Sequence, residues 1–252
     1  MKRTLTNALK RVAWRFFRRI QRGPAAGLRF DATGFPLAYV QGTMEPAVQE
    51  ALVANVQPGQ VVYDIGANCG FFSVLAARLT GEAGRVYAFE PVPDHIDAIR
   101  RNAELNQFAQ IVVKPMAVGA TTGEEALAIT DHPGGATLRS TGIVPPDMRE
   151  YVNVSVVSID DLLMAGKLPP PDFVKIDVEG AELAVIRGMS TTLRTIRPVL
   201  IYEVDANDPK AFEERWDALD RAVEEAGYRV ERLPRAYTKT RWQVGHSIAR
   251  PA

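Results

Sequence analysis

The 252-residue chain has one cysteine, Cys69, three histidines, and no apolar run that approaches the length of a transmembrane span. A single cysteine excludes an internal disulfide framework and fits a reducing compartment. The sequence offers no tight spacing of metal ligands, so no metal site is assigned. Residues 1–22 lack the uninterrupted apolar stretch and small-residue cleavage site of a secretory signal, because arginines interrupt every turn. A cytoplasmic protein is expected. Acids are missing early in the chain: nine of the thirty basic residues precede the first acid, Asp31, leaving 21 basic against 30 acidic residues in the remainder. An acidic body argues against a nucleic-acid partner. No internal repeat is present.

What the basic N-terminal stretch does have is periodicity. Leu5, Ala8, Leu9, Val12, Ala13, Phe16, Phe17 and Ile20 recur at intervals of three and four with arginines on the complementary face, which predicts an amphipathic helix. Such a helix can lie on the inner face of an anionic membrane, each basic residue contributing about 1 kcal/mol. It can equally pack on the acidic body or on a second subunit, and periodicity leaves these readings open. The chain therefore divides into residues 1–34, a basic helix followed by a linker-like stretch, and residues 35–252. At 46% hydrophobic content the 252-residue chain can bury the core of one α/β domain.

Strand and helix patterns alternate from Val61 onward. A helix over 44–56 precedes a strand at 61–65, a helix at 71–79, a strand at 86–89, a helix at 93–107 and a strand at 111–118. Residues 119–152 break the pattern with Gly- and Pro-rich clusters and one short strand near 126–129, which predicts an irregular lid over the cleft. Strands at 152–158, 172–178 and 199–204 follow, with helices at 159–165, 182–193 and 209–226. Residues 228–233 and 242–248 then close the sheet as an antiparallel pair. The expected architecture is a doubly wound, seven-stranded, Rossmann-like sheet of the class I methyltransferase kind.

The strand at 61–65 breaks into the loop Gly66-Ala67-Asn68-Cys69-Gly70, and twenty residues later a second strand ends in Glu90-Pro91. In an open α/β sheet a carboxylate at that rim accepts hydrogen bonds from both ribose hydroxyls of a nucleoside cofactor. A dinucleotide loop needs glycine where this chain has Asn68 and Phe71, and Asp64 would repel a pyrophosphate. The same carboxylate suits the ammonium and sulfonium charges of S-adenosylmethionine, which is the expected cofactor. Cofactor contacts are assigned to Asp64, Gly66, Ala67, Asn68, Gly70, Glu90, Pro91, Ala117 and Asp177.

Charge recurs at Lys175, Asp177 and Glu179, in a segment that should be a central, apolar strand. Desolvating three such ions without partners would cost several kcal/mol each, so they belong at the strand's C-terminal rim. Asp177 is the first candidate for removing a proton from an alcohol nucleophile. Glu179 is a second, with helix capping as the competing role. Glu203 ends the next strand, and the three acids could together take a magnesium ion. His132, in the expected lid, is the histidine placed to approach an acceptor. His95 and His246 read as structural or exposed.

With Asp64-Ile65-Gly66-Ala67-Asn68-Cys69-Gly70, Phe89-Glu90-Pro91, Asn102 and Asn106, Lys175-Ile176-Asp177-Val178-Glu179-Gly180-Ala181-Glu182 and Arg187-Gly188 in this order, the chain resembles the FkbM family of S-adenosylmethionine-dependent methyltransferases over about residues 45–205. The resemblance implies O-methylation of a hydroxyl on a sugar, glycolipid or natural product. It also implies that Glu45 and Gly135-Ala136-Thr137-Leu138 line the cleft. Two other classes compete with that reading: an NAD-dependent oxidoreductase on the same fold, and a catalytically silent binding module.

Overall fold

A computed structural model describes residues 19–235 and 243–252. Residues 1–18 of the predicted basic helix and Trp242 lie outside the described residues; the helix's expected last turn is corrected, since Arg19 forms a β-bridge with Arg29 and Ile20 is buried in the core. The main sheet is built from β1 (Val61–Ile65), β2 (Arg85–Phe89), β3 (Ile111–Lys114), β8 (Phe173–Ile176), β9 (Val199–Ala206), β10 (Tyr228–Arg232) and β11 (Gln243–Pro251). Its seven strands run in the order β10-β11-β9-β8-β1-β2-β3, all parallel except β11. The expected seven-stranded sheet with an antiparallel pair at its end is borne out. Strand order reverses at β1, which pairs with β2 on one side and β8 on the other, so the crevice for a ligand opens beyond the C-terminal ends of β1 and β8.

Period-two alternation sends neighbouring side chains to opposite faces. Val62, Val86, Phe173, Ile201 and Ile248 pack under helices α2 (Pro46–Asn55) and α3 (Phe71–Thr80), which follow the four-residue α1 (Ala38–Gln41). Tyr63, Ile65, Val174, Ile176, Leu200 and Tyr202 pack against the opposite layer. After α4 (Pro93–Asn106) and α5 (Ile159–Met164), that layer is α6 (Glu182–Gly188), α7 (Ser190–Thr195) and α8 (Pro209–Glu225). The stretch read as linker-like differs from expectation: Ala25, Leu28, Phe30 and Ala32 are buried in the first core. Asn102 and Asn106 on α4 fasten it, accepting hydrogen bonds from the backbone amides of Asp31 (2.7 Å) and Arg29 (2.8 Å). Residues 35–43 include α1.

The irregular lid is also corrected. Residues 117–157 form a second sheet from β4 (Ala117–Val118), β5 (Gly123–Thr130), β6 (Thr137–Leu138) and β7 (Met148–Val157), in the order β4-β7-β5-β6. The single strand expected over 111–118 splits at Pro115, which cannot donate to a ladder, so its second half leaves the main sheet for this one. Irregular backbone persists around residues 131–136 and 142–147, where Pro133, Gly134, Pro145 and Pro146 lie. The root of the sheet is fixed on α6: Ser158 Oγ donates to the Gly188 carbonyl (2.9 Å), and a Cβ at Gly188 would stand 2.0 Å from the Gly119 carbonyl oxygen.

Gly188→Ala is expected to cost roughly 1–3 kcal/mol, as overpacking does. The measurement is the urea midpoint, which should fall while the slope of the transition stays unchanged.

Candidate functional site

The loop after β1 alternates left-handed residues, Gly66 (φ 78°), Asn68 (φ 51°) and Gly70 (φ 82°). Gly66 tolerates no side chain, because a Cβ there would lie 1.7 Å from the Asp177 carbonyl oxygen and hold the ends of β1 and β8 apart. Gly70 is less crowded, with Ile99 of α4 3.2 Å from where its Cβ would be, and its φ of 82° is what favours glycine there. Glu90 fixes the loop: its Oε2 accepts from the Asn68 amide (2.8 Å) and its Oε1 from the Val92 amide (2.9 Å), with His95 Nδ1 3.5 Å away.

Beyond this loop lies a cavity of about 420 Å³. Of the predicted cofactor residues, Glu45, Gly66, Asn68, Glu90, Pro91, Ala117 and Asp177 are on its wall. Asp64, Ala67 and Gly70 are buried and are not among the lining residues. Asp64, expected to meet the cofactor's cations, stands at the junction of β1 and β8. Its carboxylate, 1% exposed, accepts from Ser73 Oγ (2.5 Å) and lies 4.0 Å from Lys175 Nζ. Burial pushes Asp64 above the ordinary carboxylate range against the pull of Lys175 and Ser73.

Lys175 explains how charge enters a central strand. It stands opposite Asp64 in the β1–β8 register, over the Phe72 ring at 4.8 Å, with Nζ 2.8 Å from Asp177 Oδ2. Burial alone would lower its pKa, but Asp177, Asp64 and Glu45 outweigh that and hold it above its ordinary value.

Glu179 adopts φ 54° and lines the cavity. The capping role considered for it is not taken, since Ala181 is the N-cap of α6 and no side chain caps it; Glu182 Oε1 accepts from the turn amides of Val178 (3.0 Å) and Gly180 (3.2 Å). Burial, and then the charges of Asp205, Glu203, Asp177 and Glu182, push Glu179 well above the ordinary range. Burial and Asp205 likewise raise Glu182 to about 7.

Sequence reasoning passed over His246. The β9–β11 register places it opposite Glu203, and its Nε2 lies 2.9 Å from Glu203 Oε2 and 3.3 Å from Glu45 Oε2. Burial would lower the imidazole's pKa, but the two carboxylates carry it up to about 10. Burial would raise Glu45, and His246 and Lys175 reverse that; Glu203 remains raised by burial and Asp177. The terminal antiparallel pairing was the signal available in the sequence.

His132 is exposed, on the boundary between this cavity and a second of about 370 Å³. Its Nδ1 accepts from the Gly134 amide (3.2 Å) and its own amide donates to Asp147 (2.8 Å). The cleft thus has an apolar end, formed by Phe89, Ala117, Val118, Leu127 and Leu138, and an acidic end at Asp177, Glu179, Glu203 and Glu45.

A family model described as the methyltransferase FkbM domain matches residues 64–230. The hexuronic acid methyltransferase AglP of Haloferax volcanii is 28% identical over 167 residues, 66% of this chain and 65% of that protein. The methyltransferase sdnD of Sordaria araneosa is 30% identical over 209 residues, covering 71% and 78%. The 31-O-demethyl-FK506 methyltransferase FkbM of Streptomyces tacrolimicus is 31% identical over 161 residues, covering 54% and 61%. The chain thus spans less than two thirds of the first and third of these. Among solved structures, the methyltransferase FkbM of Methylobacillus flagellatus superposes with a TM-score of 0.50 at 20% identity, covering 79% of this chain and 50% of that one. Fibrillarin of Aeropyrum pernix, solved with natively bound S-adenosylmethionine, gives 0.50 at 12% identity, covering 80% and 74%. These two structures share the fold.

Glu182 supplies a pH test. Its folded pKa of about 7 lies above the ordinary 4.5, so it favours the native state below about pH 4.5, and that contribution is lost as pH rises through 7. Glu182→Gln, which keeps an acceptor for both amides, should therefore gain thermal stability relative to the parent across that interval. A difference in melting temperature that stays flat with pH would contradict the assignment.

Proposed function

The chain belongs to the FkbM methyltransferase family, and on that premise we propose that its cleft methylates a hydroxyl of a sugar, glycolipid or natural product. The observation that carries this reading is one cavity with the Glu90-braced loop on one wall and Asp177, Glu179 and Glu203 on another. The bound cofactor, S-adenosylmethionine, supplies an electrophilic methyl group on a positively charged sulfur.

The residues fit that cofactor. Asn68 Oδ1 is buried with no hydrogen-bond partner among the described residues, and Asn68 lines the cavity, so an acceptor is available there for a ligand donor. Each Glu90 oxygen engages one amide and retains lone pairs for ribose hydroxyls. Ala117, Val118, Leu127 and Leu138 offer an apolar slot for a purine ring. Asp177, held by Lys175, faces the cationic portion.

At the acidic end, Asp177 and Glu179 are the groups assigned to take the acceptor's proton. Burial and its acidic neighbours raise Glu179 above the ordinary carboxylate range, the direction that favours proton uptake. His132, on the rim, is assigned to contact the acceptor. The names of AglP and FkbM, a hexuronic acid methyltransferase and one acting on a demethyl-FK506, support a polyhydroxylated acceptor.

No helix among the described residues is long and apolar enough to cross a membrane. We assign residues 1–18, which precede the Arg19–Arg29 bridge and the buried Ile20, to peripheral contact with an anionic membrane surface, consistent with a cytoplasmic enzyme. Deleting them should abolish sedimentation with anionic vesicles; unchanged sedimentation would transfer them to docking on the body or on a second copy.

Two substitutions test the cleft. Glu90→Gln should weaken S-adenosylhomocysteine binding at least tenfold by calorimetry, since hydrogen bonds to a charged group are worth about 1.5–3 kcal/mol. Asp177→Asn should lower methyl transfer to extracted glycans and glycolipids by about 10²–10⁴-fold, the usual contribution of a positioned base, with a far smaller effect on that binding. Binding of NAD with no response to S-adenosylhomocysteine would overturn the reading.

A further inference from the structure

We propose that Glu45, Glu203 and His246 form a divalent-cation site at the acidic end of the cleft, with Asp177 and Glu179 on its open side. The site stands on geometry; its catalytic role rests on the methyl-transfer reading.

The three ligands come from separate segments: the residue before α2, β9, and β11. One ligand atom from each lies within 4.8 Å of the others. The separations from His246 Nε2 to the carboxylate oxygens, 2.9 and 3.3 Å, bracket the spacing of about 3.0 Å between adjacent ligands on an octahedral ion with bonds near 2.1 Å. The contacts are short, yet the ring N–H is aligned with neither oxygen. His246 Nε2 and Glu45 Oε2 are both buried without a directed hydrogen bond among the described residues, and His246 is 3% exposed. Buried polar atoms are rarely left so.

A second set, Asp177, Glu179 and Glu203, also has ligand oxygens within 4.8 Å of one another and shares Glu203 with the first. Asp177, Glu179 and Glu203 line the cavity, so an ion on Glu203 would be open to a ligand from that side. Four carboxylates crowd this end, and Lys175 is already engaged by Asp177. A dication offsets the remainder, which burial would otherwise penalise. One imidazole with two or more carboxylates suits Mn²⁺ and similar transition ions better than calcium or a soft metal.

An acceptor hydroxyl whose oxygen joins the ion becomes more acidic. Its O–H bond breaks with the proton passing to Glu179 or Asp177. The oxygen then bonds to the methyl carbon as the C–S bond breaks, its electron pair remaining on sulfur.

The test titrates the chelator-treated full chain with Mn²⁺, read by electron paramagnetic resonance, and with S-adenosylhomocysteine, read by calorimetry. One Mn²⁺ per chain is expected, with pulsed measurements showing coupling to an imidazole nitrogen. Glu203→Gln and His246→Gln should each weaken Mn²⁺ binding at least tenfold. The nitrogen coupling is read on the unaltered protein, so it decides the matter even where a variant folds poorly. S-adenosylhomocysteine binding without Mn²⁺ binding, or bound Mn²⁺ without the coupling, overturns the cation site and leaves methyl transfer standing; there His246 is an imidazolium between two carboxylates. Mn²⁺ binding with the coupling but no S-adenosylhomocysteine binding supports the site and removes the methyl-transfer reading.

Discussion

The cleft depends on one buried ammonium. Lys175 lies between the strands where the sheet reverses order, in register with Asp64 on β1 and hydrogen-bonded to Asp177 just past the end of β8. A lone ion at that depth would cost several kcal/mol. Bracketed by carboxylates and laid over Phe72, it becomes the charge that lets Asp64 reside in the core and holds Asp177 at the cavity wall. Gly66 completes the junction by leaving room for the Asp177 carbonyl.

From this junction the two ends of the cavity acquire different characters. On the β2 side, Glu90 binds amides and keeps a polar loop rigid beside an apolar slot. On the β9 side, Glu203 and Glu179 lack such a set of amide donors, and burial with like-charged neighbours shifts both upward. Membership of the FkbM methyltransferase family fits that asymmetry, one end being proposed to hold a nucleoside and the other to take a proton.

Much of this was legible in the sequence, because strand periodicity and loop chemistry are local. The strand, Gly66–Gly70 loop and Glu90 could be read directly, as could the charged run at Lys175, Asp177 and Glu179. What escaped was non-local. Asp64 was assigned to the ligand, but its partners Ser73 and Lys175 become apparent only when β1 and β8 are paired. His246 looked incidental until the reversed β11 aligned it with Glu203. The stretch over 119–152 looked shapeless because Gly- and Pro-rich turns interrupt its strands, while the pairing of β5 with β7 is set by partners 18 to 33 residues apart.

The second sheet touches the acidic turn at two points: Thr137 Oγ1 donates to the Glu179 carbonyl at 2.7 Å, and the Ile143 side chain occupies the space that a Cβ on Gly180 would need. Any displacement of this insertion is thereby transmitted to the Glu179 turn. Grafting a different insertion here would leave that turn in place only if a hydroxyl at position 137 and a branched apolar side chain at position 143 came with it.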